Sequence, residues 1–190
     1  ELDRGAAAPL DGAGPIFVSS PGMPSRWVGA AVANELLDNL PFDVLQRTDR
    51  GLEREALRLS EDGQDIDSVP VPAPAEAVSD LGRVGVEPGM LVPWQPEARR
   101  WLADVLGRLG RGRLLVLDYG ATTAELAARP AVGWLRTFRG NQAGGHPLDA
   151  PGTQDITADV AVDQLQLDHP ADRVVELELV DGHVRSEEHT

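Results

Sequence analysis

The chain contains no cysteine. That absence excludes thiolate nucleophiles, disulfide frameworks, iron–sulfur ligation and every zinc site built on sulfur. Lysine is missing as well, since all 17 basic residues are arginine. Schiff-base chemistry, pyridoxal phosphate anchoring and a phosphate-binding P-loop lysine go with it. No stretch reaches 18 consecutive apolar residues, and the opening Glu1, Leu2, Asp3 and Arg4 make neither a basic leader nor an apolar signal core. These absences predict a cytoplasmic protein that does not enter a membrane. Positive charge is also scarce. The 17 basic residues face 31 acidic ones, a formal charge of −14, so nucleic acid, which is bound through clustered cations, is not an expected partner.

What is present suffices for one globular domain. The 190 residues are 42% apolar and 25% charged, an ordinary globular balance, and a domain of that length buries roughly 70% of its unfolded surface without a covalent or metal staple. One domain is expected over residues 1–184, irregular over 1–26 apart from a short strand at Ile16, Phe17 and Val18. The lack of an initiating methionine predicts that the true start lies upstream. Residues 185–190 match a translated sequencing adaptor and are set aside.

Residues 27–33 read as a buried strand, an apolar run broken only by Gly29. Asn34 then suits an N-cap, Glu35 and Asp38 suit the positive end of a helix, and Pro41 ends that helix within about two turns. Residues 42–47 and the alternation around Leu57 and Leu59 predict a hairpin. Six prolines between Val69 and Pro96 predict a covering loop or lid, with one or two helical turns over 76–81. From Glu97 the residues Ala98, Trp101, Leu102, Val105, Leu106 and Leu109 fall at helical offsets, with Pro96 near the first position and Gly110 at the end. A strand over 114–117 ends in Asp118, Tyr119 and Gly120, a short helix over 123–129 follows, and 134–138 is a further strand. The Gly- and Pro-rich 140–152 is a loop, and 174–180 alternates as a strand before an Asp181-Gly182 turn. Alternating strands and helices predict an α/β fold with a mainly parallel sheet and antiparallel additions.

In an open α/β sheet ligands bind outside the carboxyl ends of the strands. That places Asn34, Glu35, Asp38 and Asp118, Tyr119, Gly120 first among the candidates. Two readings stand side by side. Three carboxylates and an amide on one rim suit a cationic ligand, or else Asn34 and Asp118 cap turns while Glu35 and Asp38 complement a helix dipole. Arg136 and Arg139 would clamp a substrate carboxylate or simply extend into solvent. The four histidines are scattered without ligand spacing, so no metal site is expected. There is no G-x-S-x-G, and Gly12 and Gly14 lack the third glycine of a dinucleotide fingerprint.

Four segments occur in order: VANELLDNLP at 32–41, LVLDYG at 115–120, LRTFRG at 135–140, and HPL at 146–148 leading to DIT at 155–157. Together they resemble the MidA-like family of class I S-adenosylmethionine-dependent methyltransferases, relatives of the mitochondrial complex I assembly methyltransferase. The resemblance covers residues 27–165. It implies an incomplete Rossmann-like class I methyltransferase fold with S-adenosyl-L-methionine as cofactor. It sets the segment from Asn34 and Glu35 to Asp38 after the family's fourth strand, beside the transferable methyl group, with Asn34 and Glu35 as the cofactor contacts, and Asp118, Tyr119 and Gly120 after the fifth. Two departures accompany the match. Nothing before Trp27 resembles the family's Gly-rich cofactor loop, and the expected D-[IL]-T-A-H-V-D pattern is here DITADVA at 155–161, without its histidine and second aspartate.

The implied activity is methylation of a protein side chain. Arginine is permanently protonated in water, and Glu35 with Asp38, at i and i+3 on one helix face, would grip its guanidinium and take the proton released on methylation. Asp118, Tyr119, Gly120, Arg136 and Arg139 are then the expected substrate contacts. Without the Gly-rich unit the 190 residues are not expected to bind the cofactor alone. Two other functions stay open: a noncatalytic module that binds a partner protein through the same surface, and a hydrolase in which Asp118, Glu35 and Asp38 meet around Mg²⁺.

Overall fold

A computed structural model describes residues 20–63, 65–82, 84–140, 142–165 and 173–180. The chain order begins with β1 (Trp27–Asn34), a 3-10 turn (Leu37–Asn39), β2 (Asp43–Thr48), β3 (Gly51–Leu59), β4 (Ile66–Pro72), α1 (Ala75–Leu81) and β5 (Leu91–Trp94). It continues with α2 (Pro96–Arg108), β6 (Leu109–Ala121), α3 (Thr123–Ala127), a 3-10 turn (Ala131–Gly133), β7 (Leu135–Arg139) and β8 (Gln142–Ala143). The last elements are β9 (Asp155–Ala158), β10 (Val160–Ala161), a 3-10 turn (Val162–Leu165) and β11 (Arg173–Val180). The strand expected at 16–18 and the turn at 181–182 lie outside the described residues.

Three sheets form. In the first, β6 is central and pairs in parallel with β1, β10 and β11. The second is antiparallel in the order β4-β3-β2-β5, and the third is antiparallel in the order β8-β7-β9. The α/β class holds, but antiparallel strands outnumber the parallel ones that were expected to dominate. The reason lies in the Pro-rich stretch. Instead of a lid it supplies β4, α1 and β5, and its strand prolines are tolerated because β4 and β5 are the two outer strands of their sheet, where an N–H on the open side needs no partner. Pro70 and Pro72 sit two apart on β4, opposite Glu55 and Glu53, so both present the same side of the strand.

The helix expected from Pro96 forms but stops at Arg108, and Leu109 and Gly110, expected to close it, instead open β6, which begins well before the strand expected over 114–117. Pro96 sits in its first turn with Glu97, Arg108 closes it, and Ala98, Leu102, Val105 and Leu106 are buried. These residues pack on Ala33, Leu114 and Val116 of the parallel sheet. Each fully buried leucine or valine contributes roughly 1.5–3 kcal/mol. α1 covers the four-stranded sheet through Ala77 and Leu81 against Leu45 and Val92. Leu126 of α3 packs with Trp134 and Ala158. The α3 start is locked by a reciprocal pair in which Thr122 and Glu125 satisfy each other's backbone N–H.

Two expectations near the first strand are corrected. β1 is not buried on both faces, since Val28 is 69% and Val32 65% exposed. Nor does a helix start at Asn34, which is the last residue of β1. Glu35 instead takes a left-handed backbone (φ 46°), and only the short turn Leu37–Asn39 follows, without a side-chain cap from its own flanking residue. A left-handed residue cannot be the first turn of a right-handed helix.

Candidate functional site

The parallel pairing of β1 with β6 brings Asn34, the last residue of β1, opposite Leu117, while β6 runs on through Asp118, Tyr119 and Gly120 to Ala121, past the strand end expected at Leu117. Glu35 donates its N–H to the Leu117 carbonyl at 2.8 Å, which ties the turn to the neighbouring strand. Asp118 completes the tie. Its Oδ2 accepts the N–H groups of Leu36 (3.2 Å) and Leu37 (2.8 Å), while its Oδ1 accepts the N–H of Tyr119 at 3.0 Å. The cap that Asn34 was expected to provide therefore comes from the adjacent strand. Asp118 is 1% exposed. Burial raises its carboxyl above the ordinary aspartate range, and these backbone N–H groups pull against that rise. It offers a ligand no free face.

Asp38 lies in the turn that Asp118 holds. It is 4% exposed, and its Oδ1 accepts the Asn39 side-chain amide at 2.7 Å. Burial, followed by the negative charges of Asp118 and Glu35, pushes its carboxyl up to about 6; Arg136 opposes the rise and Asp159 adds to it. Asn34 and Glu35 are exposed beside it. The Tyr119 hydroxyl donates to Glu35 Oε1 at 3.5 Å. The helix face on which Glu35 and Asp38 were expected to stand together does not form; a tight turn joins them instead, with Glu35 exposed, Asp38 buried and the charge of Glu35 acting on Asp38.

Of the two arginines, Arg136 enters this group and Arg139 does not. They stand three apart on β7, so they point to opposite sides of the strand. Arg139 Nη2 donates to Thr153 Oγ1 at 2.7 Å. Arg136 places Cζ 5.7 Å from the centre of the Tyr119 ring, a cation–π distance, and pairs through Nη2 with Asp159 Oδ1 at 2.5 Å. Asp159 also takes Arg129 Nη1 on Oδ2 at 3.4 Å. Gly120 contributes backbone, pairing with Val160 of β10.

Asp159 was missed because its segment was read only as a departure from the family pattern. A physical signal was available: an acid between Ala158 and Val160, both of which are buried, demands cationic partners, and Arg129 and Arg136 supply them. Among the described residues no group of three His, Asp or Glu side chains is placed to hold a metal ion. The Mg²⁺ reading therefore loses its geometry, with Asp118 committed to backbone N–H groups. Among the described residues, too, no helix is long and apolar enough to cross a membrane.

Residues 20–174 match the model of the family described as "Putative S-adenosyl-L-methionine-dependent methyltransferase". The chain belongs to this family. Two solved structures from Burkholderia thailandensis are similar to the chain. A COG1565 superfamily member bound to S-adenosyl-homocysteine superposes with a TM-score of 0.68 at 28% identity, covering 77% of this chain and 38% of that one. A native structure of a COG1565 superfamily protein gives 0.68 at 29% identity, covering 76% and 39%. The chain thus spans well under half the length of either structure. No curated protein matches it.

Proposed function

We propose that this chain carries the methyl-acceptor side of an S-adenosylmethionine-dependent methyltransferase that modifies a protein side chain, with the arginine guanidinium as acceptor. The observation that carries the reading is the pair of carboxylates, buried Asp38 and exposed Glu35, in the turn that leaves the carboxyl end of β1 beside β6. A guanidinium presents N–H donors in a planar fork that two carboxylates can take together. It must lose a proton as one nitrogen gains a methyl group. Asp38, held near 6, accepts that proton more readily than an ordinary carboxylate.

The rim suits the cofactor on the chemistry of its acceptors. Glu35 and the Asn34 amide are exposed next to each other, and an acceptor-rich edge favours a cationic sulfonium over a phosphate. S-adenosylmethionine, when bound, supplies the electrophilic methyl group. Asn34 and Glu35 would hold it, Asp38 would orient the acceptor and take its proton, Tyr119 would steady Glu35, and Asp118 would keep the turn in place. β1 and β6 are followed by ELLDN and TTAEL, neither of them Gly-rich, so we further propose that these 190 residues bind the cofactor too weakly to measure. The charge of −14 favours a basic protein segment over nucleic acid, and the lack of cysteine fits a cytoplasmic setting.

The test is methyl transfer by the complete protein with Glu35 and Asp38 both replaced by Ala. Loss of at least about 100-fold in turnover is expected, and an unaltered rate overturns the assignment. Calorimetry of the 190-residue chain with S-adenosylmethionine should show no heat of binding. Micromolar affinity would overturn the account of the cofactor side.

A further inference from the structure

The proposed acceptor site contains a guanidinium of its own. Arg136 stacks on Tyr119, whose hydroxyl bonds Glu35, and its charge acts on Asp38. Arg136 Nη1 is buried and makes no hydrogen bond among the described residues, so this group has donor capacity to spare. A carboxylate pair that grips an acceptor arginine has no chemical means of refusing Arg136, and a tethered group competes at an effective concentration in the millimolar range. Something must hold Arg136 back. Asp159 is the group in position to do so. Its side chain is fully buried and its backbone is fixed on both sides, the N–H donating to the Trp134 carbonyl at 2.8 Å and the carbonyl accepting Gln95 Nε2 at 3.3 Å. From that fixed point it takes Arg136 on Oδ1 and Arg129 on Oδ2.

We propose that Asp159 is a positioning residue that restrains Arg136 from occupying the Glu35–Asp38 site as an internal copy of the substrate's guanidinium. The inference rests on reading that pair as the acceptor site, and it assigns a purpose to the aspartate that stands where the family pattern has histidine.

The experiment follows the Asp38 carboxyl carbon by NMR against pH in the 190-residue chain. The charged groups acting on it are Asp118 from β6, Glu35 beside the turn, Arg136 from β7, and Asp159 between β9 and β10. In the parent chain the midpoint lies at about 6. Asp159→Asn frees Arg136 to approach, and the midpoint falls by about one pH unit or more. Arg136→Met should raise the midpoint more in the Asp159→Asn background than in the parent chain, where Asp159 holds Arg136 back; two charges acting independently on Asp38 give the same rise in both. N-acetyl-arginine amide, used as an acceptor probe, should bind at least about tenfold more weakly to Asp159→Asn and recover in the double variant.

If Asp159→Asn does not fold, Arg129→Met/Asp159→Asn leaves one guanidinium instead of two without its carboxylate and should show the same fall. A midpoint unmoved in the folded variant overturns the proposal. So does a rise on Arg136→Met that is equal in the two backgrounds, because Asp159 and Arg136 then act on Asp38 independently and no restraint is involved. Methyl transfer that survives Glu35→Ala/Asp38→Ala would sink the functional reading instead, and neither result dictates the other.

Discussion

Asp38→Asn should make the protein more stable and less active, and the stability gain should depend on pH in a defined way. A buried carboxyl that titrates at about 6 instead of its ordinary 3.8 binds its proton more tightly folded than unfolded. Between those two values the folded state therefore holds more protons, and stability falls as pH rises, levelling off above about 6. At pH 7.5 the ionised carboxylate costs about 3 kcal/mol, the free-energy equivalent of that displacement. Roughly half of this cost is already present at pH 5. Asparagine is neutral at every pH and keeps an oxygen for the Asn39 amide that Asp38 now accepts at 2.7 Å. Urea unfolding at a series of pH values should show little gain for the variant near pH 4 and a gain rising to about 3 kcal/mol at pH 7.5. In a chain of this length that corresponds to a rise of roughly 6–12 °C in Tm. Methyl transfer by the complete protein should fall by about 100-fold or more, because the proton acceptor is gone. A gain that does not change between pH 5 and 7.5, or a loss of stability at pH 7.5, would show that Asp38 is not the strained acid described here.

Glu35→Gly should stabilise the chain by about 1 kcal/mol in urea unfolding, because glycine relieves the positive φ of 46°, while removing the acceptor carboxylate; a destabilised variant would refute the strain argument. Asp118→Ala strands the Leu36 and Leu37 N–H groups at about 1–3 kcal/mol each, and hydrogen exchange at those two amides should accelerate; protection as in the parent chain would show that the carboxylate is not the cap. Gly112→Ala would place a Cβ 1.8 Å from the Gly29 carbonyl oxygen at φ +147°, so the β1–β6 pairing should be lost with a penalty of at least about 3 kcal/mol, visible as a lowered Tm by circular dichroism; an unchanged Tm would mean that the two strands do not approach as described.

What could be read directly from the residues was local. The long helix from Pro96 announces itself through apolar offsets of three and four, and the hairpin of β2 and β3 through alternation either side of a turn. The end of β1 at Asn34 was legible because an apolar run stops there, but Asp118 is no strand end: β6 continues to Ala121, where Gly120 and Ala121 pair with β10. What failed depended on partners far along the chain. Asn34 has the chemistry of an N-cap, yet Asp118, 81 residues from Leu37, reaches those amides first, and the backbone turns left-handed at Glu35 instead of coiling. The prolines of 69–96 forbid a helix locally, as read, but only the sheet order reveals that β4 and β5 are outer strands in which proline is harmless. Asp159 is legible as a demand for a cation; which cation answers is a tertiary fact.

These long-range ties bear on how the candidate site is built. Asp118 does not wait for a ligand. It clamps the turn carrying Asp38, so the acidic pair is assembled only when β1 and β6 are already paired. The clamp also produces the chemistry, since it draws Asp38 out of water and sets one carboxylate near another, the two largest reasons its proton affinity rises. An N-cap supplied by Asn34 would have held the turn as firmly but without a charge beside Asp38. Replacing Asp118 by Asn separates the two roles. The oxygen of asparagine can still accept one backbone N–H, so the turn should persist, while the Asp38 midpoint should drop toward 3.8 with the neighbouring charge gone. If the midpoint stays near 6 in that variant, burial alone sets it, and the cross-strand aspartate is a fastener and nothing more.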